Sequence, residues 1–482
     1  MRWSYVANII GILLVFLGLS MAFPLACSLV YQDVSLKALI ESMAVTVAMG
    51  MVLFFGSKRP GIDYISPREG MAIVALGWTA MGLAGALPFY FDGAFPHFTD
   101  AFFESVSGFT TTGSSVVTNI EGLSRSLLFW RSFIQWLGGM GIIVLSIAIL
   151  PFLGVGGMQL FKAEVPSPVP DKLTPRLSDS AKILWYVYIL ISVAEVILLF
   201  AGGMDLYDAI CHTFTTMPTG GFSTKNTSMA HYDSAYLDYV VLVFMVIAGI
   251  NFSLHYQLIR GRTLIFWRDS ECRFFLGLCL VLSIVITLNV HGTVYDTFGK
   301  AFQYSSFQVV SIVTTTGFAT ADYQSWPGLS QAILFVCMFI GPSAGSTGGG
   351  MKCARIMVCF KYCYRELFVL VHPKGIAQVK LNSAVVPDSV LRSIMGFLAL
   401  YMGIFIVCSL GLAALGMDMV SSFGAVATCI GNIGPGFGTV GPVDNFAHVP
   451  ALGKWLLIWC MLLGRLEIYT VIVLFVPEFW KK

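Results

Sequence analysis

Four short segments of this chain repeat one pattern of glycines and hydroxyls. They read Thr110-Thr111-Thr112-Gly113-Ser114-Ser115, Pro218-Thr219-Gly220-Gly221-Phe222-Ser223-Thr224, Thr314-Thr315-Thr316-Gly317-Phe318-Ala319-Thr320 and Ile433-Gly434-Pro435-Gly436-Phe437-Gly438-Thr439. Aligned on one glycine, at 113, 221, 317 and 436, they are spaced by 108, 96 and 119 residues. Glycine lets a strand adopt backbone angles that aim its carbonyls to one side. Threonine adds hydroxyl oxygens and packs the strand from behind. This is chemistry for taking water off a cation and replacing it with protein oxygens. The candidate ion ligands are Thr111, Thr112 and Gly113; Thr219, Gly220 and Gly221; Thr315, Thr316 and Gly317; and Gly434, Pro435 and Gly436. Four copies in one chain can build one four-sided filter for a bare cation bound at these residues.

The alignment extends outwards from the glycine. Nine residues before it stand Glu104, His212, Gln308 and Ala427, and one residue after it Ser114, Phe222, Phe318 and Phe437. Glu104, His212 and Gln308 either tie the filter strands in place by hydrogen bonds, or tune the outer mouth or relay a proton.

A second constellation is Gly341-Pro342-Ser343-Ala344-Gly345-Ser346-Thr347-Gly348-Gly349-Gly350-Met351-Lys352, which interrupts a long apolar run. Glycine and proline must break a helix there, and broken backbone at membrane depth lines a cavity or is buried in protein. Gly345, Ser346, Thr347, Gly348, Gly349 and Gly350 are expected to form an intramembrane gate. A nucleotide-binding loop is excluded, because Lys352 does not follow glycine in a Gly-Lys-Ser/Thr string. Arg465, with Glu467 nearby, falls in the last apolar segment. A charge there needs protein or water to face and a partner. It is read as part of the gate, a barrier beneath the fourth filter strand and an anchor for the loop. The competing reading is a structural or snorkelling arginine. Residues two apart do not share a helix face, so an Arg465–Glu467 pair is not expected.

Something must hold these loops at membrane depth. Hydrophobic residues make up 57% of the 482 and charged residues 11%, against roughly 45–50% and about 25% in ordinary soluble domains. Mean hydropathy is +0.80. The chain is a polytopic membrane protein. Apolar segments fall at 6–30, 36–56, 71–91, 126–153, 181–203, 237–259, 273–291, 328–360, 388–415 and 452–476, each near or above the ~20 residues a span needs. Four shorter segments, 98–112, 205–219, 298–316 and 418–435, each lead into a glycine motif. The expected fold is all-α, with four quasi-symmetric helix–pore loop–helix repeats around one ion pore plus an extra N-terminal helix pair. The units are 1–66, the helix pair; 67–160, repeat one; 161–268, repeat two; 269–380, repeat three with the gate loop; and 381–482, repeat four. The run after Arg2 is too long for a signal peptide, and Pro24-Leu25-Ala26-Cys27 departs from a lipoprotein cleavage site.

Most of the 28 basic residues fall inside if both termini are cytoplasmic, among them Arg2, Lys58, Arg59, Arg68, Lys162 and the stretch Lys352–Lys380. The filter loops then face outwards. That basic stretch is read either as a docking site for a cytosolic partner or as topology alone. A net charge of +2 gives no bias towards nucleic acid. The eleven cysteines contain no C-x-x-C pair, and Cys359 and Cys363 have no histidine at zinc-ligand spacing. They read as apolar fillers or reduced thiols. No catalytic motif appears, so an enzyme is not expected, and no cofactor is expected in this chain.

The four loops, the helix–loop–helix repeats, the 341–352 interruption and a basic residue in the last helix together resemble the Trk/Ktr/HKT superfamily of potassium transporters. The extra helix pair and the length are most similar to its bacterial membrane subunits, over essentially the whole chain. By that resemblance Gly113, Gly221, Gly317 and Gly436 match the filter glycines, and Gly113, where a serine goes with sodium preference in the plant branch, points to potassium. The resemblance also implies potassium uptake across the bacterial inner (cytoplasmic) membrane, with rubidium accepted. It implies a homodimer in membrane lipid with one pore per protomer, and a cytosolic nucleotide-binding ring, TrkA, that moves the gate. A proton- or sodium-coupled symporter is the alternative mechanism.

Overall fold

The computed structural model describes residues 1–57, 66–148, 177–375, 377–382 and 384–481. The expected end of the 126–153 segment, the boundary between 160 and 161, and Lys58, Arg59 and Lys162 lie outside the described residues.

Within the described residues each expected apolar segment is built of helix, three of them with breaks. Six described helices are long and apolar enough to cross a membrane: Trp3–Tyr31, Leu36–Gly56, Arg68–Phe91, Ala181–Ala201, Ser270–Val290 and Asp388–Ala414. The first is one span with a joint at Met21, where Pro24 falls in the opening turn of the second half and costs no hydrogen bond. It crosses Leu36–Gly56 where small residues meet. A Cβ on Gly11 would lie 2.7 Å from the Gly50 carbonyl oxygen, and one on Gly50 would lie 2.8 Å from that of Gly11. Small residues at the crossing let two backbones touch, which is how helices associate without a hydrophobic drive between them.

Two expected spans are bent. Ala235–Gly249 meets Phe252–Ile259 at 101°, and Ala451–Arg465 meets Ile468–Phe475 at 119°. A third is interrupted between Gly328–Cys337 and Cys353–Val371, where the glycine-rich loop stands. Apolar composition alone reads each as one continuous span, and only the 328–360 break carries a sequence signal of glycine and proline. The other two breaks arise from tertiary bonds described below.

Four short helices, Phe98–Phe109, Leu206–Thr216, Phe298–Val313 and Met419–Gly431, have 12, 11, 16 and 13 residues. At 1.5 Å per residue they reach about 16–24 Å, too short to cross about 30 Å of hydrocarbon. Asp205 and Asp418 cap the second and fourth, accepting from the N–H groups of Tyr207 at 3.1 Å and Ser421 at 3.0 Å. Every residue from Ala101 to Phe109, and nearly every residue of Ser421–Gly431, is buried. A helix buried on all sides sits inside the protein, and here the longer helices surround it.

Candidate functional site: a ring of four strands

Each short helix ends in the same unusual turn. Thr111, Thr219, Thr315 and Asn432 take positive φ angles of 49°, 57°, 59° and 55°. Two residues later Gly113, Gly221, Gly317 and Gly434 have φ of 84°, 70°, 82° and 106°. The N–H between them, of Thr112, Gly220, Thr316 and Ile433, donates five residues back to the carbonyls of Ser107, Thr215, Ser311 and Thr428 at 2.8, 2.8, 2.8 and 2.9 Å. A β-branched residue at positive φ is strained by about 1–3 kcal/mol. Three such threonines at equivalent places mark a shape that the surrounding protein imposes.

The four strands close on one another. A Cβ on Gly113 would strike the carbonyl oxygen of Gly220. On Gly221 it would strike that of Thr316, and on Gly317 that of Ile433. On Gly434 it would lie 3.0 Å from that of Thr112. Four steps return to the start, so four glycines and four carbonyls form a circuit. A cavity of about 80 Å³ opens above it, lined by all four of these glycines and by Lys225 and Asp444 among others.

This corrects the register of the fourth strand by two residues. The ring glycine is Gly434, and Gly436 lies outside the ring with φ in the ordinary negative range. Its N–H donates to Val440 at 2.7 Å, and its carbonyl accepts from the Tyr323 hydroxyl at 2.7 Å. Sequence alignment followed the Gly-Phe pairs at 221–222 and 317–318 onto Gly436-Phe437. The backbone follows instead the residue that leaves the helix left-handed, and Asn432, a residue tolerant of that conformation, was the available signal. Pro435 lines the cavity one place after the ring glycine.

Behind the strands, three side chains one helical turn or more back do what the first of their two readings required. Glu104 accepts from Val116 N–H at 2.9 Å and from the Ser115 hydroxyl at 2.9 Å. His212 Nε2 is 3.0 Å from the Ser223 hydroxyl. The Gln308 amide, turned so its oxygen faces donors, accepts from Thr320 N–H at 2.8 Å. Glu104 is also ion-paired with Arg131 at 2.6 Å, both buried. The sequence reading missed Arg131, Gln135 and Asn432. Asn432 donates to the Thr112 hydroxyl at 2.9 Å and to the Met461 carbonyl at 3.0 Å, linking two strands and the last helix.

On the other side of the ring lies the loop. The Thr347 hydroxyl donates to the carbonyl of Met217, which follows the second short helix, at 2.9 Å. Gly349 N–H donates to the Thr315 hydroxyl at 2.8 Å. A Cβ on Gly348 would be 2.9 Å from the Thr314 carbonyl oxygen, and one on Gly349 would be 2.7 Å from that of Gly431. The loop thus covers the carbonyl ends of three of the four short helices. Two cations hold it: Arg465 Nη1 donates to the Thr347 carbonyl at 2.6 Å and Nη2 to Gly138 at 3.3 Å, while Lys352 Nζ donates to the Gly348 carbonyl. Arg465 is the last residue of its helix. The chain then turns through Glu467, at φ 62°, which pairs with Arg355 at 2.6 Å and not with Arg465.

The loop also explains the bend in repeat two. Ser343 N–H donates to the Gly249 carbonyl at 3.0 Å, Thr347 reaches the Ala248 carbonyl, and Phe252 N–H donates to the Gly345 carbonyl at 3.0 Å. The Asn251 side chain caps the second half, accepting from Ser253 N–H at 2.9 Å, and packs on Gly345. Backbone groups that a straight helix would pair internally are satisfied by the loop. All eleven cysteines are free thiols, most of them buried. Among the described residues no group of three or more His, Cys, Asp or Glu is placed to hold a metal.

Six described helices long and apolar enough to cross a membrane, with four short buried helices and a closed ring of glycines and carbonyls among them, define a multi-pass membrane protein. The chain belongs to the TrkH family of cation transport proteins, whose model matches residues 35–482. It is 42% identical to the Trk system potassium uptake protein TrkH of Salmonella typhimurium over 491 aligned residues, all of both chains. It is 37% identical to the Trk system potassium uptake protein TrkG of Escherichia coli K12, over 99% of this chain and 98% of that one. Its fold matches the crystal structure of the potassium transporter TrkH from Vibrio parahaemolyticus with a TM-score of 0.92 and 39% identity, all of both chains covered.

Proposed function

We propose that this protein takes up potassium across the cytoplasmic membrane through the four-strand ring, with the 345–350 loop as its gate. The observation that carries this reading is the closed circuit of Gly113, Gly221, Gly317 and Gly434 with the neighbouring carbonyls. Such a ring offers a dehydrated cation several oxygens at fixed spacing. The short helices turn their carbonyl ends, which favour positive charge, towards the space beneath. The loop now lies across those ends, pinned by Arg465 and Lys352. The names of the relatives support potassium as the ion and a Trk system as the setting. A homodimer with cytoplasmic termini, gated by a nucleotide-binding TrkA ring, completes the reading. Glu104 and His212, which a coupled symporter would need free, are engaged in holding strands, which favours a channel-like pore.

The test is cation flux into liposomes carrying the purified protein, with and without the nucleotide-binding partner, beside Gly113→Ser. Potassium and rubidium flux is expected to exceed sodium flux, and the variant to lose that preference. Equal flux of all three ions, unchanged by the substitution, would overturn the reading.

Opening must release the bonds between the loop and residues 248–252. A straight helix would replace them, pairing Phe252 N–H with the Ala248 carbonyl and Ser253 N–H with that of Gly249. In this reading the gate lifts as the repeat-two helix straightens. Asn251→Ala removes the cap of the bent form and favours the straight one, by about 1 kcal/mol. Basal potassium flux is expected to rise about fivefold. Unchanged flux would show that the bend is static.

A further inference from the structure

The second strand is held differently from the others. Arg131 and Gln135 stand one turn apart on the helix Arg125–Ala148 of repeat one, and both are buried. Between them they grip the strand of repeat two. Gln135 Nε2 donates to the Gly220 carbonyl at 2.7 Å, and its Oε1 accepts from Phe222 N–H at 3.2 Å. Arg131 Nη1 donates to the Ser223 carbonyl at 2.8 Å, and its guanidinium lies 3.6 Å over the Phe222 ring. Gly220 leaves room for this, since a Cβ there would strike the Gln135 carboxamide.

One carboxamide therefore fixes both peptide planes that flank the ring glycine Gly221. The plane before it is held by its oxygen, the plane after it by its N–H. Gly221, at φ 70°, has no side chain to limit its rotation, so these two bonds, with its own N–H donating to the Thr215 carbonyl at 3.2 Å, supply the limit. The arrangement is not repeated in the last helix. Gly138 and Gly464 each back onto the carbonyl four residues before a ring glycine, Phe109 and Ile430. The positions equivalent to Arg131 and Gln135 are then Leu457 and Met461, which offer no side-chain donor.

We propose that Gln135 is a specificity-determining residue, holding the Gly220 carbonyl at the radius that suits potassium and resisting the inward rotation that a smaller sodium ion requires. Arg131 is a positioning residue that orients the same strand through Phe222 and Ser223. This rests on the filter reading above and adds the side chain that stiffens one of its four sides. A neutral carboxamide can be removed without stranding a buried charge, whereas removing Arg131 would leave Glu104 unpaired.

The experiment is potassium and sodium flux in liposomes for Gln135→Leu and Gln135→Met, with Gly113→Ser beside them and thermal unfolding of each variant recorded. The expected result is a potassium-to-sodium flux ratio about tenfold lower in both Gln135 variants, with unfolding temperature near that of the parent. Gln135→Glu keeps the acceptor for Phe222 N–H but sets an anion against the Gly220 carbonyl, so the ratio is expected to fall there too. An unchanged ratio in Gln135→Met while Gly113→Ser alters it would overturn the role of Gln135 and leave the filter standing. An unchanged ratio in every variant would overturn both. Loss of potassium flux together with lowered unfolding temperature in all three Gln135 variants would show a structural residue and overturn the proposal.

Discussion

Gly434→Ala is expected to reduce potassium flux more than about tenfold, while Gly436→Ala retains the preference for potassium over sodium. Gly434 has φ 106°, outside what an L side chain adopts without strain, and its new methyl would sit 3.0 Å from the Thr112 carbonyl oxygen. Positive φ alone costs roughly 1–2 kcal/mol in a non-glycine residue, and the crowding falls on a carbonyl of the ring. The strand can respond only by turning or withdrawing, and either displaces a carbonyl of the ring. Gly436 is not at positive φ, and an added Cβ there would lie 2.9 Å from the Gly424 carbonyl oxygen, away from the ring. Alanine there disturbs packing against the fourth short helix and leaves the circuit closed. Flux assays that compare the two variants for potassium and sodium decide the register. Loss of selectivity in Gly436→Ala, with Gly434→Ala unaffected, would restore the alignment on Gly436.

Arg465→Gln is expected to raise potassium leak through the protein without its cytosolic partner by about 10- to 100-fold. The guanidinium makes a buried, charge-assisted bond of 2.6 Å to the Thr347 carbonyl and a second to Gly138. Hydrogen bonds to charged groups contribute about 1.5–3 kcal/mol, and here that energy favours the loop lying across the helix ends. Glutamine is shorter and neutral, so the anchor weakens and the buried charge is lost, and in the proposed gate both changes act in the direction of flux. The variant leaves no orphaned anion, because Glu467 is paired with Arg355. Arg465→Lys keeps the charge but cannot span both carbonyls, and an intermediate leak is expected. Leak at the parental level in Arg465→Gln, measured as rubidium uptake into liposomes, would remove Arg465 from the gate.

Much of the architecture was legible from composition and repetition. Ten apolar runs, four short ones between them and a glycine motif after each are local facts, and local hydrophobic length decides what can cross a bilayer. The glycine-rich break was legible too, because proline and five glycines between residues 341 and 350 cannot continue a helix. All four ring glycines stood among the candidate ligands, and three were aligned in the right register because their neighbours are similar strings.

The rest depended on contacts between residues far apart in the chain. The fourth ring glycine is Gly434 because Asn432 leaves its helix left-handed and bonds Thr112, 320 residues away. The helix at 235–259 has no proline, and its bend exists because the loop from repeat three supplies the missing backbone partners. Arg131 and Gln135 look like unremarkable polar residues on an apolar helix until folding sets the strand of repeat two against them. The sequence by itself determined which segments enter the membrane, since burial of apolar length is additive along the chain. Tertiary structure alone decided which carbonyls face one another, since each buried polar group must find its partner wherever the fold brings one.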